Sequence, residues 1–308
     1  MTPPVLLLVF NRPDHTRRVF EQVRRLRPAE LYISADGSRK HVPADAEKCA
    51  SVRAIFEKID WPCTVRTNYL QENHGCRRAV QAGISWFFQQ VEAGIILEDD
   101  CLPDPSFFDF CAELLERYHD DPQVMHIAGN NPAPQACQNL DAGYLFSRFS
   151  FIWGWATWRR AWQLYDADFT DLEKLWQDPG SGLSQIVQDT AARRYLLDKF
   201  ERTRSGELDT WDYAWFFTIL KNNGLCIVPM VNLVQNIGFD EAATHTQTGL
   251  AANRSNEVSA IDKHLIHPEH KKPNPTIERA FFYASQKSRV GLLLRRFAPW
   301  FFYKTTRS

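Results

Sequence analysis

At 308 residues with 44% hydrophobic content, the chain is long enough for one large α/β domain or two small ones, and wholesale disorder is excluded. A formal net charge of −1 argues against a protein held to nucleic acid by a general basic field. The seven cysteines (Cys49, Cys63, Cys76, Cys101, Cys111, Cys137 and Cys226) stand singly, with no CxxC pair and an odd count, so reduced thiols in a cytoplasmic protein are expected.

The apolar run Val5–Phe10 is too short for a signal segment or a membrane span and reads as a buried first strand. Leu31–Asp36, Thr64–Tyr69, Gly94–Glu98 and Val124–Ala128 read as further short strands. Between them the spacing is helical: Val19, Val23 and Leu26; then Val52, Ile55, Phe56 and Ile59; then Val80, Ile84, Phe87 and Val91. Asp104-Pro105 opens another helix, whose apolar side is Phe107, Phe108, Cys111, Leu114 and Leu115. This alternation predicts a mostly parallel sheet covered on both faces by helices, with its ligand at the carboxyl ends of the strands.

The second half is different. Residues 143–180 are dense in aromatic side chains, with Trp153-Gly154-Trp155-Ala156-Thr157-Trp158 at their centre. Helices are expected at Leu183–Arg204 and Thr210–Leu220, and short strands at Leu225–Val228 and Asn232–Gln235. The region 240–275 is polar and reads as loop or lid. His264, His267 and His270 recur at three-residue spacing, but Pro268 interrupts any helix that would stack them, and they read as surface loop. The last segment, 289–308, mixes basic and aromatic residues, and its two readings are a membrane-surface contact and a packed terminal helix.

Three expected strands end in polar residues: Asn11-Arg12-Pro13-Asp14, Asp36-Gly37-Ser38 and Glu98-Asp99-Asp100. Three adjacent carboxylates after a buried run repel one another, and a hard divalent cation, Mg²⁺ or Mn²⁺, removes that cost. The bland reading is a solvated acidic turn. No GxGxxG, GxxxxGK[ST] or HExxH occurs, so dinucleotide, P-loop and zincin sites are unsupported.

Taken in order, Val5–Pro13, Ile33–Gly37, Ile95–Cys101, Trp153-Gly154-Trp155, Trp211-Asp212 and Asn236–Phe239 resemble GT-A-fold glycosyltransferases. The resemblance is closest to N-acetylglucosaminyltransferase I-like enzymes and bacterial nucleotide-diphospho-sugar transferases, and it spans roughly 4–245. It implies a single GT-A-like domain over 1–288, with a Rossmann-like nucleotide-sugar half (1–135), an acceptor and catalytic half (136–245) and a polar loop region (246–288), followed by the tail.

The resemblance implies an inverting transfer from a nucleotide-diphosphate sugar, a UDP-sugar in the first instance, to a glycan or lipid-linked acceptor in bacterial surface polysaccharide synthesis. The protein would be cytoplasmic or peripheral to the inner membrane. Asp100 would hold the metal, Mn²⁺ or Mg²⁺; Glu98 and Asp99 would orient ribose and sugar hydroxyls; Asp36 would bond the base. Arg12 and Arg78 would border the nucleotide, in a pocket edged by Glu72–Arg78.

Asp212 would be the general base that takes the acceptor proton; its bland reading is a helix first-turn carboxylate. His245, Trp153 and Trp155 are further candidates, the tryptophans as sugar-stacking faces or as core. Two other classes compete. A nucleotidyltransferase would need a glycine-rich loop where Asn11-Arg12-Pro13-Asp14 stands. A non-catalytic carbohydrate- or nucleotide-sugar-binding protein would use the same fold without turnover.

Overall fold

A computed structural model of the chain describes residues 2–177, 187, 189–238 and 257–285. Its first four strands are β1 (Val5–Val9), β2 (Glu30–Ala35), β3 (Thr64–Tyr69) and β4 (Ala93–Glu98). They run parallel in the spatial order β3-β2-β1-β4. Helices α1 (Pro13–Leu26), α2 (Pro43–Ile55) and α3 (Gly75–Gln90) connect them.

Alternate residues of β1 show why its sequence is apolar throughout. Val5, Leu7 and Val9 join a core with Val19, Val23 and Val52 of α1 and α2, whereas Leu6 and Leu8 join Ile84 and Phe87 of α3. A strand buried on both faces has no polar side to show. Fully burying each such side chain is worth about 1.5–3 kcal/mol. At the sheet edge β3 is largely exposed, and its sequence Thr-Val-Arg-Thr-Asn-Tyr is correspondingly polar.

Beyond β4 the sheet is mixed. The remaining strands are β5 (Cys101–Pro103), β6 (Val124–Ala128), β7 (Tyr144–Ser147), β8 (Trp155–Trp158), β9 (Leu225–Pro229) and β10 (Val234–Asn236). The full order is β3-β2-β1-β4-β8-β6-β9-β7, with β5 and β10 forming a separate antiparallel pair. Strand β8 lies between β4 and β6, antiparallel to both, and β7 is antiparallel to β9. The fold is therefore α/β with a large mixed sheet: six of its eight strands run in one direction, as a mostly parallel sheet predicts, and β8 and β7 are reversed. The reversed β8, Trp155–Trp158, is four residues without alternation that periodicity alone does not mark as a strand.

The other helices are α4 (Pro105–Arg117), α5 (Arg159–Trp162), α6 (Leu172–Gln177), α7 (Thr190–Arg204), α8 (Asp212–Lys221) and α9 (275–285). Asp104 caps α4 by accepting from Ser106 N at 2.9 Å, as the Asp-Pro opening predicts. Asp189 caps α7, so the described helix starts later than the expected Leu183. Helix α9 falls inside the region expected to be polar loop, and it is tied down by burial. Ile277, Phe281 and Phe282 pack into the core, and buried Glu278 accepts a hydrogen bond from Arg148 N at 2.7 Å. No helix among the described residues is long and apolar enough to cross a membrane. The tail 289–308 and the Leu183 end of the expected helix lie outside the described residues.

Candidate functional site

The parallel register aligns Leu8 with Ser34 and with Glu98, so β1, β2 and β4 end level. The residues after each strand therefore meet at one edge, as expected for an open α/β sheet. The Arg12 guanidinium donates to Asp100 Oδ2 at 2.8 Å and lies 3.8 Å from Asp99 Oδ1. Phe10 N donates to Asp99 Oδ2 at 3.3 Å.

The Arg12 cation and the Phe10 amide are thus set against three adjacent carboxylates. Burial, and then the Asp100 charge, push Asp99 up to about 7 against the pull of Arg12 and the Phe10 amide. Glu98 is raised well above the usual carboxylate range by burial, then by Asp100, Asp99 and Asp212. Burial and mutual repulsion thus both favour the protonated forms of Glu98 and Asp99.

Asp212 belongs to this cluster although it comes from the far half of the chain. It is the first residue of α8 and accepts a hydrogen bond from Thr210 Oγ1. Its carboxylate is felt by Glu98, by Cys76 and by Tyr165. The first-turn position and the site position coincide, so a helix-dipole role and a role in the cluster are compatible.

Cys76 sits among the same charges. Burial, followed by Glu98, Asp212, Asp209 and Asp100, raises its thiol far above the ordinary value, so it is a protonated, unreactive group at neutral pH.

The resemblance points Asp36 at a base, but the structure commits both its oxygens to the chain. Oδ1 accepts from Gly37 N (2.8 Å) and His74 N (2.9 Å); Oδ2 accepts from Asn73 Nδ2 (2.8 Å) and Gly75 N (3.2 Å). A carboxylate has about four acceptor positions. A base would have to displace one of these partners. Asp36 thereby fixes the loop that starts α3, and Gly37 lets that loop close, since a Cβ there would lie 2.3 Å from the Glu72 carbonyl carbon. Arg78 is exposed on the first turn of α3 and does not join the residues that meet at the acidic cluster.

Two further features were not expected from sequence. Asp209 accepts from Cys76 N and Arg77 N, each at 3.2 Å, and so caps α3 from another part of the chain. The segment Asn236–Gly238, which the resemblance includes without a role, closes over Asp100. Ile237 N donates to Asp100 O at 2.8 Å, and a Cβ on Gly238 would lie 2.2 Å from Asp100 Oδ2. His15 Nε2 reaches Ile237 O at 3.0 Å from α1. Neither arrangement carries a local sequence signal; only the glycine hints at a close approach.

The tryptophans divide. Trp155 is 0% exposed, stacked between His126 (5.0 Å between centroids) and Trp211 (5.5 Å), and it is core rather than a face for a sugar. His126 is held neutral by burial, which lowers it to about 4; it contacts Trp215 Nε1 and Phe151 O. Because Trp215 Nε1 can only donate, His126 Nδ1 accepts and Nε2 carries the proton. Trp153 is half-buried, its backbone N donating to Asn130 Oδ1 at 3.3 Å. Gly154 between them has φ +61, and a Cβ there would lie 2.7 Å from Val234 Cγ2. His267 contacts Tyr144 OH at 3.0 Å and Glu113 at 3.3 Å, so it anchors its loop, whereas His264 and His270 are exposed. His245 lies outside the described residues.

Among the described residues no group of three or more His, Cys, Asp or Glu side chains is arranged to hold a metal ion. The side chains gathered at the acidic cluster offer hard carboxylate oxygens that repel one another. Such oxygens are the donor type that Mg²⁺ or Mn²⁺ takes, commonly as one or two carboxylates completed by phosphates and water. In comparison with known proteins, the chain matches no protein-family model and no curated protein.

Proposed function

We propose that the chain is an inverting glycosyltransferase of GT-A type. It would take a sugar from a nucleotide-diphosphate donor, UDP-linked in the first instance, and pass it to a glycan or lipid-linked acceptor. One observation carries the reading: Arg12, Glu98, Asp99, Asp100 and Asp212 converge at the carboxyl ends of parallel strands, close enough for the carboxyl groups to raise one another's proton affinity. The parallel order β3-β2-β1-β4 followed by an antiparallel strand agrees with a GT-A arrangement.

In this reading Asp212 accepts the proton of the acceptor hydroxyl as that oxygen bonds to the anomeric carbon and the bond to the donor diphosphate breaks. The opposed directions of attack and departure invert the anomeric centre. The transition state resembles the oxocarbenium ion of glycoside hydrolysis. In the same reading Arg12 meets charge on the departing diphosphate, exchanging its bond to Asp100 for one to phosphate. A divalent cation held by Asp100, when bound, would supply further neutralisation of that charge. Glu98 and Asp99, with their raised proton affinities, can donate as well as accept towards sugar and ribose hydroxyls.

The test is a thermal-shift screen of UDP, other nucleotide diphosphates and UDP-sugars, with and without Mn²⁺. A ligand at about a hundred times its Kd adds roughly 2.7 kcal/mol of stability. The expected result is a metal-dependent shift with UDP that Asp100→Ala abolishes. A screen in which no nucleotide moves the melt removes the donor site. With a donor in hand, Asp212→Asn should bind it normally and lose transfer by about 10²–10⁴-fold. Transfer at the wild-type rate would dismiss the base, and donor binding without any wild-type turnover would favour a binding protein.

A further inference from the structure

A groove runs along the flank of the molecule between α3 and α5. One wall is a single face of α3, where Gln81, Ser85 and Gln89 recur at four-residue spacing. The other is Arg159 and Trp162 of α5 with Gln163, the next residue along the chain. The space is about 470 Å³, within the roughly 300–1,000 Å³ of small-molecule sites.

Its lining mixes polar side chains with the aromatic Phe88, Trp162 and Tyr165. Arg159 is the one charged residue there, and its guanidinium already serves the carbonyls of Phe88 and Val91 and the Glu92 carboxylate. Phe88 and Trp162 are 3% and 5% exposed, so these two rings offer little apolar surface. An acyl chain or apolar peptide would find little area to bury, and an anionic polymer no unmatched cation in the lining. What the walls do offer is three amide side chains and a hydroxyl, donors and acceptors side by side. That pattern suits the neighbouring hydroxyls of a sugar, which both donate and accept.

The groove also leads to the acidic site. Gln81 lies six residues into α3, about 9 Å from the helix start at Gly75, and the wall from Gln81 to Gln89 extends about 12 Å further. Tyr165, at the groove's end, stacks on Trp162 at 4.5 Å and donates to Trp211 O at 3.1 Å, one residue before Asp212.

We propose that this groove binds a neutral oligosaccharide, the stretch of acceptor glycan remote from the hydroxyl that reacts. Its identity as acceptor rests on the glycosyltransferase reading; the binding of a neutral glycan does not. Maltotriose, cellotriose and chitotriose are titrated into the full chain and into Gln81→Ala/Gln163→Ala, with binding followed by saturation-transfer NMR. Both positions are at least partly exposed, so the variant should keep the wild-type melting temperature.

At least one trisaccharide should bind at millimolar concentration, and the variant should weaken it about tenfold or more. Its nucleotide-induced melting shift should equal that of wild type. The proposal is overturned if none of the three binds, or if the variant binds as well as wild type. If the variant loses a trisaccharide that wild type binds while no nucleotide shifts the melt, the groove stands and the glycosyltransferase reading falls. If a nucleotide shifts the melt and no trisaccharide binds, the groove falls and the donor site stands.

Discussion

Asp99 is the residue at which the site's chemistry touches the stability of the fold. Folded, it keeps its proton up to about pH 7; unfolded, a free aspartate loses it near pH 3.9. The folded state therefore binds more protons between these values, and stability contributed by the protonated form is lost as pH rises through about 7. Glu98 is shifted in the same direction. Asp99→Asn removes this linkage. Urea midpoints from pH 4 to 8 should fall more steeply for wild type than for the variant, and equal slopes would refute the raised affinity. Mn²⁺ with UDP should act the opposite way, stabilising wild type more at pH 8 than at pH 5. The acidic triplet stood out in the sequence because three adjacent carboxylates are unusual after a buried strand. Three of Asp36's four internal partners carried no such sign, because Asn73, His74 and Gly75 lie on a loop some forty residues further on.

Among elements, α3 decides the geometry of the site, because its first turn is gripped from two directions. Asp36 takes the amides of His74 and Gly75, and Asp209 takes those of Cys76 and Arg77. Satisfying orphan amides with carboxylates also favours the helix dipole. Asp209→Ala should lower stability by about 0.5–2 kcal/mol in urea unfolding, with Asp209→Asn keeping part of it. An Ala variant as stable as wild type would show that water serves these amides equally well.

The start of α3 at Gly75 has no local cap to mark it, since His74 makes no side-chain capping bond. The start of α4 does, because Asp104 and Pro105 are local signals. The segment carrying Gly238 illustrates the same contrast: Gly238→Ala should displace the Asp100 carboxylate and weaken metal-dependent nucleotide binding at least tenfold. Unchanged affinity by calorimetry would mean that the segment moves aside at little cost.

Across the full chain, the two halves share one sheet. Strand β4 pairs with β8, and β6 with β9, so neither half has its edges satisfied without the other. Arg77 adds a further tie, donating to Thr203 O and Ala167 O, each at 2.7 Å. Tryptophan fluorescence, to which the cluster of Trp155, Trp162, Trp211 and Trp215 contributes, should therefore lose its native signal together with far-UV circular dichroism. Separated transitions would indicate halves that unfold independently.

Elements whose signal is local were legible in the sequence. Thr64–Tyr69 and Val124–Ala128 are strands over the residues that their pattern marks, and the helices of the first half follow their apolar spacing. A strand buried on both faces or a helix buried on one must carry that environment in consecutive residues. It took the packed chain to establish that β8 runs antiparallel between β4 and β6, that Trp155 is core, that Asp36 and Asp209 hold α3, and that Asp212 stands beside Glu98. Strand order and direction, and the partners of a buried polar group, are contacts between residues distant in the chain, and no local composition encodes them.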